Sequence, residues 1–196
     1  MIVLASASAA RRALLDQAGI RAEIRPAAVD EHHIRVAMRA EGTSARDCAL
    51  LLAQTKAARV SVTDSDDLVI GADQILDLDG RWFDKPADVD TAKDQIRALR
   101  GRTHTLQTAV VCYRGGRQIW SHVEAPRLIM RNVSEDFLAD YATREGEALL
   151  GSVGAYRLEG LGAQLFERVD GDLFSVLGLP LLPLLGFLRQ HGEIRE

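Results

Sequence analysis

Several things are scarce or missing in this chain, and each absence removes a class of protein. Cysteine occurs twice, at Cys48 and Cys112, far apart and without metal-ligand spacing. That excludes a disulfide scaffold and a cysteine-ligated zinc site, and two thiols in apolar surroundings fit a reducing compartment. A basic excess is missing too: 24 Lys and Arg face 28 Asp and Glu, for a net charge of -4. Broad binding to nucleic acid or to a membrane surface needs the opposite balance, so neither partner is expected. No apolar run reaches the ~18 residues of a membrane span. The most apolar stretch, Leu177–Leu188, is broken by Gly178, Pro180, Pro183 and Gly186, and reads as a buried turn and helix. Met1 leads straight into a strand-like run with no basic segment and no cleavage site, so the expected location is cytoplasmic. No G-x-G-x-x-G opens a helix after a strand, which argues against a dinucleotide fold, and no G-x-S-x-G elbow or Cys/His pair supports covalent hydrolysis. Repeats, linkers and low-complexity tracts are also absent.

What is present starts at the N-terminus. An apolar run, Ile2-Val3-Leu4, breaks into the small residues Ala5-Ser6-Ala7-Ser8-Ala9, and Arg11 and Arg12 follow on an amphipathic segment. Small residues let backbone N–H groups approach an anion, and a helix start and arginines add positive potential. The same residues also suit a plain turn with solvated arginines.

Further along, 9–19 reads as a helix with Leu14, Leu15 and Ala18 as its apolar stripe and Gly19 at its end. Segment 20–25 alternates like a strand, and 28–42 is polar and reads as an irregular excursion. A helix is expected over 44–60, with Ser44 as cap and Asp47 three residues on. A charged turn at 63–67 leads to a short buried strand, 68–72, ending at Asp73. Asp79-Gly80 centres a hairpin. A helix over 88–100 closes at Gly101. Strands over 103–113 and 118–130 form an antiparallel hairpin around Gly115-Gly116. A capped helix covers 134–142, a glycine-rich, partly extended region 151–171, and a last helix 181–190. Helices alternating with buried strands and hairpins imply a mixed sheet.

Few residues stand out chemically. Asp73 follows Leu68-Val69-Ile70-Gly71-Ala72 directly, and a carboxylate ending a buried strand needs a partner, a metal or a cleft. It either caps the next turn or serves as a general base or metal ligand. Lys56 lies one turn beyond Leu52 at the edge of an apolar stripe, where it either snorkels outward or enters a cleft. Pro86 restricts Lys85 to an extended backbone, from which it can face a phosphate. Asp30-Glu31 adds carboxylates. Glu159 sits in a run with four glycines in twelve residues, Gly151 to Gly162, which suits tight backbone near a ligand. The histidines show no metal-site spacing and are assigned no chemistry.

Taken in order, these segments resemble the Maf family of septum-formation-inhibitor-like nucleotide pyrophosphatases. The matching pieces are Leu4-Ala5-Ser6-Ala7-Ser8 with Arg11 and Leu14-Leu15, Asp30-Glu31, Lys56-Ala57, Gly71-Ala72-Asp73 and Lys85-Pro86. They continue with Gly101, His104 and Thr108-Ala109-Val110, then Glu159-Gly160-Leu161-Gly162 and Gly178-Leu179-Pro180. The resemblance covers nearly the whole chain. It implies an α/β fold like that of the inosine triphosphate pyrophosphatases: an extended mixed sheet with flanking helices, and one domain over 1–196 whose two lobes surround a central cleft. It also implies hydrolysis of a nucleoside triphosphate to the monophosphate and pyrophosphate with a divalent metal cation (Mg, Mn or Co).

By that resemblance Asp73 is the general base and, with Glu31, a metal ligand. Lys56 and Lys85 join them in catalysis, while Ser6, Ser8, Arg11, Arg12, Gln74 and Glu159 bind substrate. The opening departs from the usual S-x-S-P-R-R, with Ala9 in place of the proline and Ala10 in place of the first arginine. Asp73-Gln74 and Glu159 are similar to the 7-methylguanosine triphosphate subfamily, where glutamate can accept from guanine N1–H and N2–H. A pyrimidine or broad-specificity pyrophosphatase is the alternative, and a nucleotide-binding regulator of septation with little turnover is an alternative of another class. A homodimer is compatible with the chain, though no interface can be read from it.

Overall fold

The computed structural model describes residues 1–62 and 65–195. In chain order the elements are β1 (Ile2–Leu4), α1 (Ala9–Gln17), β2 (Glu23–Ile24), α2 (Glu31–Ala40), α3 (Ala45–Val60), β3 (Leu68–Leu78), β4 (Arg81–Phe83) and α4 (Val89–Leu99). They continue with β5 (Thr103–Arg114), β6 (Arg117–Glu124), β7 (Arg127–Met130), α5 (Glu135–Glu145), β8 (Phe166–Asp170), α6 (Leu173–Val176) and α7 (Leu181–Gln190). Three 3₁₀ segments, Gly146–Gly151, Val153–Ala155 and Leu161–Leu165, join α5 to β8.

The strands form one eight-stranded sheet in the order β2-β1-β3-β5-β7-β8, with β4 on β3 and β6 on β5. Strand β1 runs parallel to β2 and β3, and the other pairings are antiparallel, so the sheet is mixed as expected. The spine is the β3–β5 pair, in register from Val69↔Tyr113 to Asp77↔Thr105. At one end of this spine Leu4, Leu15, Ile70, Val110, Leu184 and Phe187 pack beneath α1 and α7. On the opposite face Val3, Leu52, Val69, Ala109 and Val111 pack beneath α3. At the other end a separate cluster, including Leu76, Ile96, Leu106, Leu128, Leu138 and Leu165, joins α4, α5 and the 3₁₀ segments to the sheet. A central cleft opens between these two ends.

Local chemistry explains most element limits. Ser44 accepts from Asp47 N at 3.1 Å and Ser134 from Phe137 N at 3.1 Å, so both helices start where a capping hydroxyl stands. Asp79 and Gly80 both have positive φ (52° and 86°), the geometry that joins β3 to β4 in a tight hairpin. Gly71 is required for a different reason: a Cβ there would lie 2.3 Å from the Ala53 carbonyl oxygen and 2.8 Å from Ala57 Cβ. Its absence lets α3 rest directly on β3.

Four expectations change. The strand expected to end at Asp73 runs on to Leu78, which puts Asp73 in mid-strand. Burial there is tolerable because Asp73 has a cationic partner. The excursion at 28–42 contains a ten-residue helix, α2, capped by Asp30, which accepts from His33 N at 3.0 Å. Ile34 and Met38, at the i,i+4 spacing of one helix face, pack on the core. The strand over 20–25 shortens to Glu23–Ile24, and the one over 118–130 divides into β6 and β7 around Ala125-Pro126, where proline offers no N–H. Of the charged turn at 63–67, residues 63 and 64 lie outside the described residues; Asp67 pairs with Arg25 at 3.2 Å.

Candidate active site

The cleft has a volume of about 430 Å³, within the usual range for small-molecule sites. It is lined by nine of the ten residues singled out from sequence: Ser6, Ser8, Arg11, Glu31, Lys56, Asp73, Gln74, Lys85 and Glu159. Arg12 is the exception. It points to solvent, 3.4 Å from Asp16 on the next turn of α1.

Asp73 sits at the centre, 3% exposed. Lys56, also buried, donates to Asp73 Oδ1 at 2.5 Å and stands 2.7 Å from Glu31 Oε1. The close approach of α3 at Gly71 brings the ammonium there, so Lys56 enters the cleft and does not snorkel outward. A second cation, not singled out from sequence, completes the cluster. Arg35 on α2 donates through Nη2 to Glu31 Oε2 at 3.1 Å and lies 3.5 Å from Asp73 Oδ2. Its Nη1 donates to Asp84 Oδ1 at 3.2 Å. Burial works against the Arg35 charge, but Asp73, Glu31 and Asp84 outweigh it and hold the pKa above the ordinary arginine value. A helical reading of 30–40 with Glu31 and Arg35 at i,i+4 was the signal available for it.

Arg11 is built into the wall. Nε donates to the Gly178 carbonyl at 2.8 Å, and Nη1 to the Ala72 carbonyl at 2.9 Å and Ser6 Oγ at 3.0 Å. Burial pulls its pKa down, while Asp73 and Glu31 oppose that pull. Nη2 has no hydrogen-bond partner among the described residues. Ser8 caps α1, accepting from Arg11 N at 3.4 Å, so the helix start faces the cleft beside Ser6. Lys85 is exposed at the rim, with no ion pair among the described residues.

The far side of the cleft is built mostly from neutral groups joined by hydrogen bonds. Gln74 Nε2 donates to Thr108 Oγ1 at 2.8 Å and to the carbonyls of Ser175 and Val176 at 2.9 and 3.2 Å. The Thr108 hydroxyl spends its proton on the Ser175 carbonyl at 2.9 Å, so toward Gln74 it can only accept. The amide orientation is therefore determined: nitrogen toward Thr108, and Oε1, an acceptor, toward the cleft. Glu159 supplies a second acceptor nearby, on a segment anchored by Arg157 Nη2 to Glu145 at 2.9 Å. Tyr156 forms part of the wall and its hydroxyl is 2.8 Å from His104 Nε2. Burial lowers the His104 pKa to about 4, which leaves the ring neutral at physiological pH.

Glu31 and Asp73 converge on one point, marked by Lys56 Nζ. Among the described residues no group of three or more His, Cys, Asp or Glu could hold a metal alone. Two carboxylates suit a hard cation whose remaining ligands are water and substrate phosphates. No helix among the described residues is long and apolar enough to cross a membrane.

Comparisons with known proteins agree with this geometry. The family model "Maf-like protein" matches residues 1–191. A "Nucleoside triphosphate pyrophosphatase" of Granulibacter bethesdensis is 59% identical over 98% of each chain. One of the same name from Paramagnetospirillum magneticum is 54% identical over 98% of this chain and 99% of its own. A "7-methyl-GTP pyrophosphatase" of Rhizobium etli is 46% identical over 98% and 97%. With the family model spanning almost the full length and the cleft assembled from the motif residues, the chain belongs to the Maf-like family.

Proposed function

We propose that the cleft hydrolyses a guanine-type nucleoside triphosphate, 7-methyl-GTP in particular, to the monophosphate and pyrophosphate. The broader activity is that of a nucleoside triphosphate pyrophosphatase, the name its relatives carry. The observation that supports it best is the buried Asp73–Lys56 pair, joined by Glu31, in a cleft ringed by Arg11, Arg35 and Lys85. A triphosphate carries about four negative charges, and stabilising charge on its leaving group needs several fixed cations.

In this reading Asp73 accepts a proton from a water that attacks the α-phosphorus. The bond from that phosphorus to the α–β bridging oxygen breaks, and the bridging oxygen leaves with pyrophosphate. Lys56 holds the Asp73 carboxylate in place through Oδ1, and Oδ2, which only the long 3.5 Å contact from Arg35 Nη2 faces, takes the proton of the water. Ser6, Ser8 and the free Nη2 of Arg11 bind phosphate oxygens, and Lys85 reaches the outer phosphates from the rim. Asp73 and Glu31 would hold a divalent cation, which supplies charge neutralisation at the phosphates when bound. The two acceptors, Gln74 Oε1 and Glu159, suit a base edge that presents adjacent donors, as guanine N1–H and N2–H do. The two buried free thiols, Cys48 and Cys112, support a reducing, cytoplasmic setting. The chain works as one domain, 1–196, of two lobes.

The test is a panel of nucleoside triphosphates with Mg²⁺ or Mn²⁺ and product analysis. Pyrophosphate release, fastest with 7-methyl-GTP, is expected. Faster turnover of UTP or dTTP would move the substrate to the pyrimidines, and orthophosphate as product would overturn the reaction itself.

A further inference from the structure

Helix α2 is weakly anchored by packing: none of its residues is buried. Charge holds it over the cleft. Asp84, beside Lys85, ties it down twice, through Arg35 Nη1 at 3.2 Å and Arg39 Nη2 at 3.5 Å. The Arg35 guanidinium is thereby divided between two tasks. Nη1 is on the anchor, and Nη2 is on the carboxylate pair, 3.1 Å from Glu31 Oε2 and 3.5 Å from Asp73 Oδ2.

We propose that Arg35 is an exchangeable counter-ion: it neutralises Glu31 and Asp73 in the free protein, then transfers Nη2 to a phosphate oxygen when a divalent cation and triphosphate occupy the pair. The inference rests on the reading of the cleft as a triphosphate site. Its physical basis is crowding of like charge. Lys56 and Arg35 hold opposite oxygens of the same two carboxylates, Oδ1 and Oε1 against Oδ2 and Oε2. A divalent cation on that pair repels both, strongly in so desolvated a place. Lys56 is buried in α3, whose packing on β3 fixes its stem. Arg35 rides on a helix with little apolar anchorage, and its contact with Asp73 is its longest, so it is the group that gives way.

It does not have to leave the cleft. With Nη1 kept on Asp84, the planar fork still presents Nη2, and guanidinium groups match phosphate oxygens well. The other cations show why this matters. Two of the three Arg11 nitrogens are committed to the wall, and Lys85 reaches only from the rim. Arg35 thus adds a second positive charge to Lys56 against the Glu31 and Asp73 carboxylates in the free protein, and supplies a phosphate ligand once triphosphate binds.

Binding of Mn²⁺ alone, and of inorganic tripolyphosphate with saturating Mn²⁺, separates the two roles by electron paramagnetic resonance and calorimetry. Arg35→Gln should bind Mn²⁺ alone about tenfold more tightly and Mn²⁺–tripolyphosphate about tenfold more weakly than wild type. Asp84→Asn releases the anchor and leaves Arg35 to the carboxylate pair, so it should weaken Mn²⁺ binding. Opposite shifts are a result that general loss of structure does not produce, and they support the exchange even if one variant folds poorly. Mn²⁺ affinity that is unchanged or weaker in folded Arg35→Gln overturns it, as does unchanged tripolyphosphate affinity. Failure of the wild type to bind tripolyphosphate would instead remove the triphosphate reading beneath it.

Discussion

The two sides of the cleft are built on different physics. On one side, Asp73, Glu31, Lys56, Arg35 and Asp84 form a closed set of ion pairs. On the other, Gln74, Thr108, Ser175 and the His104–Tyr156 pair are neutral and joined by directed hydrogen bonds. Ion pairs are weakly directional and can exchange partners, which suits a site that must admit a charged substrate. A fixed amide cannot exchange its acceptor for a donor, which suits discrimination among bases. On the proposed reading the charged side carries the chemistry and the neutral side the selection, so each can be perturbed without the other.

The sharpest break is Asp73→Asn. It keeps the shape of the charged side and removes the proposed base, so kcat should fall by about 10³-fold while the protein stays folded. Steady-state kinetics with a thermal melt checks this; a fully active variant would take Asp73 out of its role.

Next comes a pH effect confined to the neutral side. His104 has a pKa of about 4 in the fold against an ordinary value of 6.5, because burial disfavours its charge. The unfolded chain therefore takes up the proton first. This contribution is at its full value above about pH 6.5, declines as pH falls toward 4, and levels off below, a total loss of about 3 kcal/mol. Comparing denaturant unfolding of wild type and His104→Gln across that window reads it, since the variant should lack this component of the slope.

A smaller effect is expected of Thr108→Val, which removes one of the three acceptors that hold the Gln74 amide and leaves the Ser175 and Val176 carbonyls in place. The kcat/KM for 7-methyl-GTP should drop about fivefold, with little change for a pyrimidine triphosphate, as one oriented hydrogen bond is worth roughly 1 kcal/mol. Equal losses on both substrates would show that Thr108 acts on the whole cleft. The smallest effect belongs to Arg12→Ala. Its partner Asp16 is exposed, so activity and stability should stay within measurement error of wild type, whereas Arg11→Ala should impair both.

Much of this was legible in the chain itself. Helix limits followed from capping residues such as Ser44 and Ser134, because caps act within three residues. The hairpin at Asp79-Gly80 followed from a turn that needs positive φ. Asp73 and Lys56 were visible as polar groups on otherwise apolar elements, a conflict that calls for a partner. Arg35 was not visible in this way. It stands between Ile34 and Val36 in a segment that reads as an irregular excursion, and its meaning comes from positions 73 and 84, far off in sequence.

By itself, then, the sequence determined most of the elements, the mixed sheet and the set of polar groups from which the cleft is built. These depend on local backbone preference and on residue chemistry. Only the tertiary structure decided which groups meet. It turned Arg12 outward and built Arg11 into the wall on two backbone carbonyls. It also seated α3 on Gly71 so that Lys56 reaches Asp73, and used Thr108 to settle which end of Gln74 faces the cleft. Each of those outcomes depends on distances between segments remote in the chain, which packing sets and local preference does not.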